Sequence, residues 1–177
     1  MSIIREYSYL FLIIITNLVF IACSANDPVL VNNQIVRIGE VESIRVLEPK
    51  LDYKTIQDED PINPSEYHGE KVSIYVKKLS EEILAGKFFN VISDITNTSG
   101  MTLSIDLEIF VGPEAYFNPL TGEFRSSMSR TVINGMIVNS ITNKIIWKNY
   151  VQVREIPDPK SIKFKKAIEL LYSNLEK

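Results

Sequence analysis

Residues 101–111 carry the pattern that most limits how this chain can fold. Apolar side chains at Met101, Leu103, Ile105, Leu107, Ile109 and Val111 alternate with Thr102, Ser104, Asp106 and Glu108, and only Phe110 breaks the polar series. Successive side chains of a strand point to opposite faces of its sheet, so this alternation predicts a long strand with one buried face and one polar face.

Two segments show helical periodicity instead. Apolar residues recur at intervals of four, three and four residues, which places them on one face of a helix. Asn63-Pro64-Ser65-Glu66 is a typical helix start, Gly86 a typical end, and Asp158-Pro159 a second start. The two stripes consist of Val72, Val76, Leu79 and Ile83, and of Phe164, Ile168, Leu171 and Leu175.

Further extended segments complete the pattern. Five stretches rich in β-branched and aromatic residues are interpreted as strands: Val29–Val36, Ser43–Leu47, Phe88–Ile92, Phe124–Asn139 and Ile145–Arg154. Ser140–Lys144 has the length of a hairpin turn, with Asn143-Lys144 suited to positive φ. Residues 49–65 contain three prolines and an acidic run, and are interpreted as a solvated loop.

This element order predicts an α+β fold. A strand, a helix, a strand, a three-stranded meander and a final helix suggest a two-layer sandwich, with a mainly antiparallel sheet and two helices packed on one face. The sequence divides into a signal peptide at 1–22, a lipidated N-terminus and tether at 23–42, and a single domain at 43–177. We see no internal repeat.

The N-terminal segment has the pattern of an export signal. Arg5 precedes an apolar run, residues 7–22, that ends in the small residue Ala22. Thr16 and Asn17 interrupt the run, and it is shorter than the ~20 residues that a transmembrane helix needs. A short positive region, an apolar core and a small residue predict a signal peptide.

The last four residues, Phe20-Ile21-Ala22-Cys23, resemble the lipobox of bacterial lipoproteins, with Phe20 where leucine is usual. The resemblance implies a diacylglycerol on the Cys23 sulfur, cleavage between Ala22 and Cys23, and fatty acids such as palmitate as the anchor. Ser24 resembles the class exported to the outer membrane rather than retained at the inner one. The expected location is therefore the cell envelope, with the outer membrane favoured.

The exported part also resembles a group of small envelope lipoproteins. The helix with Leu79, Leu84 and Gly86, followed by Phe88 or Phe89 and by Val91, looks like their helix and "G-x-F-x-V" passage. Residues 136–151, "MIVNSITNKIIWKNYV", look like their hairpin. The group includes the lipopolysaccharide-assembly lipoprotein, auxiliary lipoproteins of lipid transport and the curli-secretion lipoproteins. Over roughly residues 66–153, the resemblance implies a non-enzymatic envelope role.

Few residues could support catalysis. His68 is the only histidine and Cys23 the only cysteine, so a triad would have to use His68, which is more simply a surface residue. Asp58-Glu59-Asp60 could hold a hard cation but lacks the spacing of a calcium loop. Asp106 and Glu108 share one strand face and could form a carboxylate pair, although a wet sheet face is simpler. We expect no enzyme activity, cofactor or metal site.

Charge limits the partners. Nineteen basic residues against 22 acidic ones give a net charge of −3, which argues against nucleic acid as a partner. The same net charge argues against electrostatic adsorption to anionic lipid, so any membrane attachment is expected to come from apolar groups. The segment Glu114–Gly122 carries Tyr116, Phe117 and Leu120 in a connection between strands. Either these side chains contact a partner protein or the membrane, or the loop folds back and buries them.

Three functions remain open at this point. The first is a lipid-anchored binding or assembly module of a larger envelope complex. The second is a lipid-anchored hydrolase that uses carboxylates, and a cleft with close carboxylates would favour it. The third is an inner-membrane protein held by an uncleaved signal anchor without lipid.

Overall fold

The computed structural model describes residues 29–30, 35–38, 43–56, 69–87, 89–92, 100–112, 116–120, 123–125 and 129–176. The predictions for Ala22, Cys23, His68, Asp58–Asp60 and the helix start at Asn63–Glu66 fall outside these residues. They therefore stay predictions, as does the division of the chain at residues 23 and 43.

The main sheet is built on β6 (Met101–Val111), the strand that alternation predicts. Its neighbours are β9 (Arg130–Asn139) and, beyond it, β10 (Ile145–Val153), so the predicted meander is present. The remaining strands of this sheet are short: β1 (Val29–Leu30), β3 (Ile44–Val46), β4 (Lys50–Thr55) and β5 (Val91–Ile92).

Strand directions differ between the two sides of β6. On one side β9, β10 and β1 follow as antiparallel neighbours. On the other side β3 and then β4 pair with β6 in parallel, and β5 pairs in parallel with β3. Two small sheets stand apart, a parallel one from β2 (Val36–Arg37) and β11 (Leu175–Glu176) and an antiparallel hairpin from β7 (Tyr116–Asn118) and β8 (Glu123–Arg125).

Both helices cover one face of the sheet. Helix α1 (Gly69–Gly86) contacts β3, β4 and β5, whereas α2 (Ile162–Leu171) contacts β1, β9 and β10. The helices also meet each other, with the rings of Tyr75 and Phe164 stacked at 6.3 Å between centroids. The α+β class and the placement of two helices on one sheet face are thus confirmed.

The core lies between these layers. Every second residue of β6 from Leu103 to Ile109 is buried, as the alternation requires. Both helical stripes supply the opposite wall, although Ile83 is only half-buried and Leu84 takes the deeper position. Trp147 on β10 stacks on Tyr172 at 5.7 Å, and its indole nitrogen donates to Asn174.

The domain has two ends that matter for function. At the turn end, Ser140–Lys144 connects β9 to β10, and Asn143 has the expected positive φ of 55°. At the hairpin end, β10 finishes at Val153 and β7–β8 emerges between β6 and β9. Helix α2 runs from the hairpin end back along β10, because the Asn149 amide donates to the Leu171 carbonyl at 2.7 Å.

Three sequence predictions are wrong in detail. Residues 50–55 form β4 rather than a loop, because Lys50, Leu51, Asp52, Tyr53 and Lys54 also alternate in polarity. Ser161, not Asp158, caps α2, since its hydroxyl accepts from the Phe164 amide. Leu175 is buried but lies on β11, because the helix ends at Leu171.

Within the described residues, neither helix has the length and apolar character needed to cross a membrane.

Candidate functional site on the open sheet face and the hairpin

The sheet face opposite the helices is the first candidate surface. We call it the open face; its central residues come from alternate positions of β4, β6, β9 and β10. The strand register places Lys50, Asp106, Asn134 and Tyr150 in one cross-strand row, and Asp52, Glu108, Val132 and Gln152 in the next. The carboxylates that the sequence singled out therefore do share a face, as predicted.

Glu108 forms an ion pair with a lysine from the neighbouring strand. Its carboxylate lies 2.8 Å from the Lys54 ammonium, which also lies 3.1 Å from Asp52. The Asn134 amide donates to the other Glu108 oxygen at 3.4 Å. The hydrogen bonds to Glu108 and then to Asp52 raise the pKa of Lys54, which favours the ammonium form that binds both carboxylates.

Phe110 completes this end of the open face. The Arg130 guanidinium lies 4.5 Å from its ring centroid, and Lys54 lies 5.5 Å away. Both distances suit cation–π contact. Phe110 breaks the polar alternation of β6, and its ring is the surface on which two cations rest.

Asp106 differs from Glu108. One of its carboxylate oxygens is buried without a hydrogen-bond partner among the described residues, although the side chain as a whole is only half-buried. Its cross-strand neighbours are Lys50 and Asn134. The two carboxylates thus have different environments, which a carboxylate-dependent hydrolase would also need.

The β7–β8 hairpin is the second candidate surface. The sequence predicts a connection at Glu114–Gly122 and an extended segment from Phe124 onward. The backbone instead pairs Tyr116 with Arg125 and Phe117 with Phe124 in a small antiparallel sheet. Leu120 lies in the turn between the strands and exposes 94% of its surface. The contacts of Tyr116 and Phe117 stay a prediction.

Sequence reasoning missed one contributor to the open face and one exposed apolar residue at the start of α2. Lys54, which binds Glu108, was assigned to a loop, although the alternation from Lys50 to Lys54 signals a strand. Ile162, the first residue of α2, exposes 83% of its surface. Ile162 does not belong to the buried stripe of the helix, and lysines lie on both sides of it in the sequence. These two features could have predicted its exposure.

The described residues contain no group of three or more His, Cys, Asp or Glu side chains arranged to hold a metal ion.

No protein-family model matches the sequence, and no curated protein matches it. Solved structures that are similar include the PelC dodecamer from Paraburkholderia phytofirmans, at 9% identity and a TM-score of 0.41 over 85% of this chain and 98% of that one. A homologue of neuraminyllactose-binding hemagglutinin from Helicobacter pylori is 14% identical, with a TM-score of 0.44 over 79% and 86%. Lipoprotein GNA1162 from Neisseria meningitidis is 10% identical, with a TM-score of 0.38 over 64% and 81%.

Proposed function

We propose that this chain is a lipid-anchored, non-catalytic lipoprotein of the cell envelope that serves as a binding or assembly module of a larger complex. The observation that carries the proposal is the position of Cys23. It directly follows the apolar segment and Ala22, and it precedes β1 by only six residues. Diacylglycerol on Cys23 would give the two or more acyl chains that stable anchoring requires.

The state of the carboxylates supports a binding role over hydrolysis. Glu108 is held by Lys54 and Asn134, so its oxygens are engaged by the protein itself. As a general base or nucleophile, Glu108 would have to release these contacts to meet a substrate. The ion pair therefore favours a structural role for Glu108 on an exposed sheet face.

The hairpin supports the binding role. Loops that connect strands are usually polar, yet this one presents Leu120 at its tip and carries Tyr116 and Phe117 in its first strand. Aromatic and large apolar side chains often anchor interfaces. We therefore assign Tyr116, Phe117 and Leu120 to contact with an envelope partner or with the membrane.

Labelled palmitate tests the anchor. Cells that make the wild-type protein should incorporate label into it, whereas Cys23→Ser should take up none, because the sulfur is the acceptor. Ser24→Ala is the matched control, since it alters the adjacent residue and keeps the cysteine. Equal labelling of wild type and Cys23→Ser would reject lipidation at this residue and favour an uncleaved signal anchor. The outer-membrane location is tested on the same cells by separating the two membranes.

A further inference from the structure

We propose that the hairpin end of the domain rests on an anionic membrane surface, with Ile162 and Leu120 as its apolar contacts. This inference rests on the proposed lipid at Cys23 and adds an orientation to it. The pairing of β1, the exposure of the two side chains and the charge around α2 carry it.

The direction of β1 fixes the end of the domain at which the six residues 23–28 join it. Val29 pairs with Gln152 and Leu30 with Val151, so β1 runs antiparallel to β10 and starts where β10 ends. The chain that precedes Val29 therefore enters at the hairpin end. Cys23 lies six residues before Val29 in the sequence.

Residues 23–28 are too short for the turn end of the domain to face the membrane that holds the lipid. Six residues reach at most about 22 Å when fully extended. Along β10, the seven residue steps from Gln152 back to Ile145 already cover about 23 Å, and the turn end lies beyond Ile145. With its lipid in the bilayer, an upright domain must therefore stand on its hairpin end.

Ile162 and Leu120 suit this position. They expose 83% and 94% of their surfaces, and both belong to the hairpin end, one at the start of α2 and one at the tip of β7–β8. Large apolar side chains at such exposure favour an apolar environment over water. Resting on the open face instead would bring the charged Asp52, Lys54 and Glu108 cluster against lipid.

The charge around Ile162 complements anionic headgroups. Lys160 and Lys163 flank it, both are exposed, and the first turn of α2 contains no acidic residue. Cations at a helix N-terminus oppose the helix dipole, so helix stability does not account for their placement. Asp158 accepts from the Lys160 amide and Glu155 from the Ser161 hydroxyl, and both acids keep their charge. Residues 154–166 nevertheless carry five basic residues against these two acids. The net charge of the whole chain, −3, does not reveal this local excess of basic residues.

Site-specific fluorescence tests the orientation in the full-length lipoprotein. Lipid blocks the Cys23 sulfur, so a single introduced cysteine is the only free thiol and takes a fluorophore. The probe variants are Ile162→Cys and Leu120→Cys. Ile141→Cys is the matched control, an isoleucine that is 76% exposed at the turn end, and Lys148→Cys reports the open face. Each protein is reconstituted into phosphatidylethanolamine and phosphatidylglycerol vesicles that carry nitroxide-labelled lipid.

We expect nitroxide lipid to quench the probes at 162 and 120 and to leave those at 141 and 148 bright. Quenching at 141 or 148 equal to that at 162 would overturn the orientation. The orientation would also be overturned if the probes at 162 and 120 were protected from aqueous iodide but not quenched by nitroxide lipid. That result would show that a protein covers these positions. Labelling of wild-type protein at Cys23 reports a different failure, namely that the proposed lipidation is absent. Unchanged melting curves confirm that each variant is folded.

Discussion

Single residues decide how the aromatic core of this domain fits together. Gly135 on β9 faces Asn149 on β10, next to the Trp147 ring. A Cβ at position 135 would lie 2.9 Å from one ring carbon of Trp147 and 3.1 Å from Leu171. The absence of a side chain here is what allows the indole to stack on Tyr172 beneath α2.

Gly135→Ala should therefore destabilise the domain. The added methyl group overpacks a buried site and should cost about 1–3 kcal/mol in free energy of unfolding. Denaturant titration measures the change. The matched control is Gly86→Ala at the exposed end of α1, where nothing lies within 4 Å and a gain of about 0.4–1 kcal/mol is expected. Equal effects of the two substitutions would contradict the packing role of Gly135.

Tyr172 should make stability depend on pH above about 10. Burial raises the pKa of its hydroxyl above the usual 10.0, and the Ser80 hydroxyl acts in the opposite direction. In the unfolded chain the phenol ionises near its usual pKa, so the folded state binds more protons above that pH. Stability is thus fully present below pH 10 and decreases as pH rises, by about 1.4 kcal/mol per unit for one proton.

Tyr172→Phe should make this alkaline decrease shallower. Urea unfolding at several pH values between 8 and 11 gives the slope. Some slope should remain, because the pKa values of Tyr75, raised by burial, and of Lys54, raised by Glu108 and Asp52, act in the same direction. An unchanged slope would show that Tyr172 is not protected from ionisation in the folded state.

At the scale of elements, α2 connects the sheet side of the core with the other helix, because it contacts β9 and β10 as well as α1. Phe164, Ala167, Ile168 and Leu171 are all fully buried against the sheet. Its ends are fixed by polar contacts, with Ser161 capping the start and the Asn149 amide binding the last carbonyl. These contacts satisfy backbone groups that a helix leaves unpaired at its ends.

Leu171→Asp should cost several kcal/mol, because an unpaired charge replaces a fully buried side chain. Leu79→Asp should have the same direction of effect on α1, where the leucine is 8% exposed. Ile162→Asp on the exposed side of α2 is the control and should change the melting temperature little. A Leu171→Asp protein that melts at the wild-type temperature would show that α2 is not part of the core.

At the scale of the whole molecule, the covered face and the two candidate surfaces are separate. The core lies on the helix side of the sheet, whereas the Lys54 and Glu108 cluster lies on the open face. Among the described residues, the β7–β8 hairpin forms its own two-stranded sheet and does not pair with the main one. Changes in the hairpin should therefore affect binding more than folding.

Tyr116→Ser combined with Phe117→Ser should leave the melting temperature nearly unchanged while reducing what the protein contacts. Crosslinking in intact cells, followed by mass spectrometry, measures the captured partners or lipid. Ile141→Ser at the turn end is the control for loss of an exposed apolar residue. If the double substitution unfolds the domain, its aromatic side chains belong to a core, and the loop is not a contact surface.

Local patterns in the sequence were sufficient to define much of this molecule. Alternation along β6, the two helical stripes and the Asn143 turn each depend on neighbours a few residues apart, so they predicted strand, helix and hairpin correctly. The N-terminal apolar run and Cys23 are also local features, and they carry the prediction of a lipid anchor. Residues 50–55 were interpreted as a loop because the segment 49–65 contains three prolines. Their alternation in polarity predicts a strand, and pairing with β6 stabilises that strand.

Tertiary structure alone decided the contacts between distant residues. The ion pair of Lys54 with Glu108 exists because β4 aligns in parallel with β6, and the fit of Trp147 depends on Gly135 across the strand pair. The start of β1 at the hairpin end follows from its pairing with β10. Such pairings are set by the packing of the whole sheet against its helices, and no single segment of sequence encodes them.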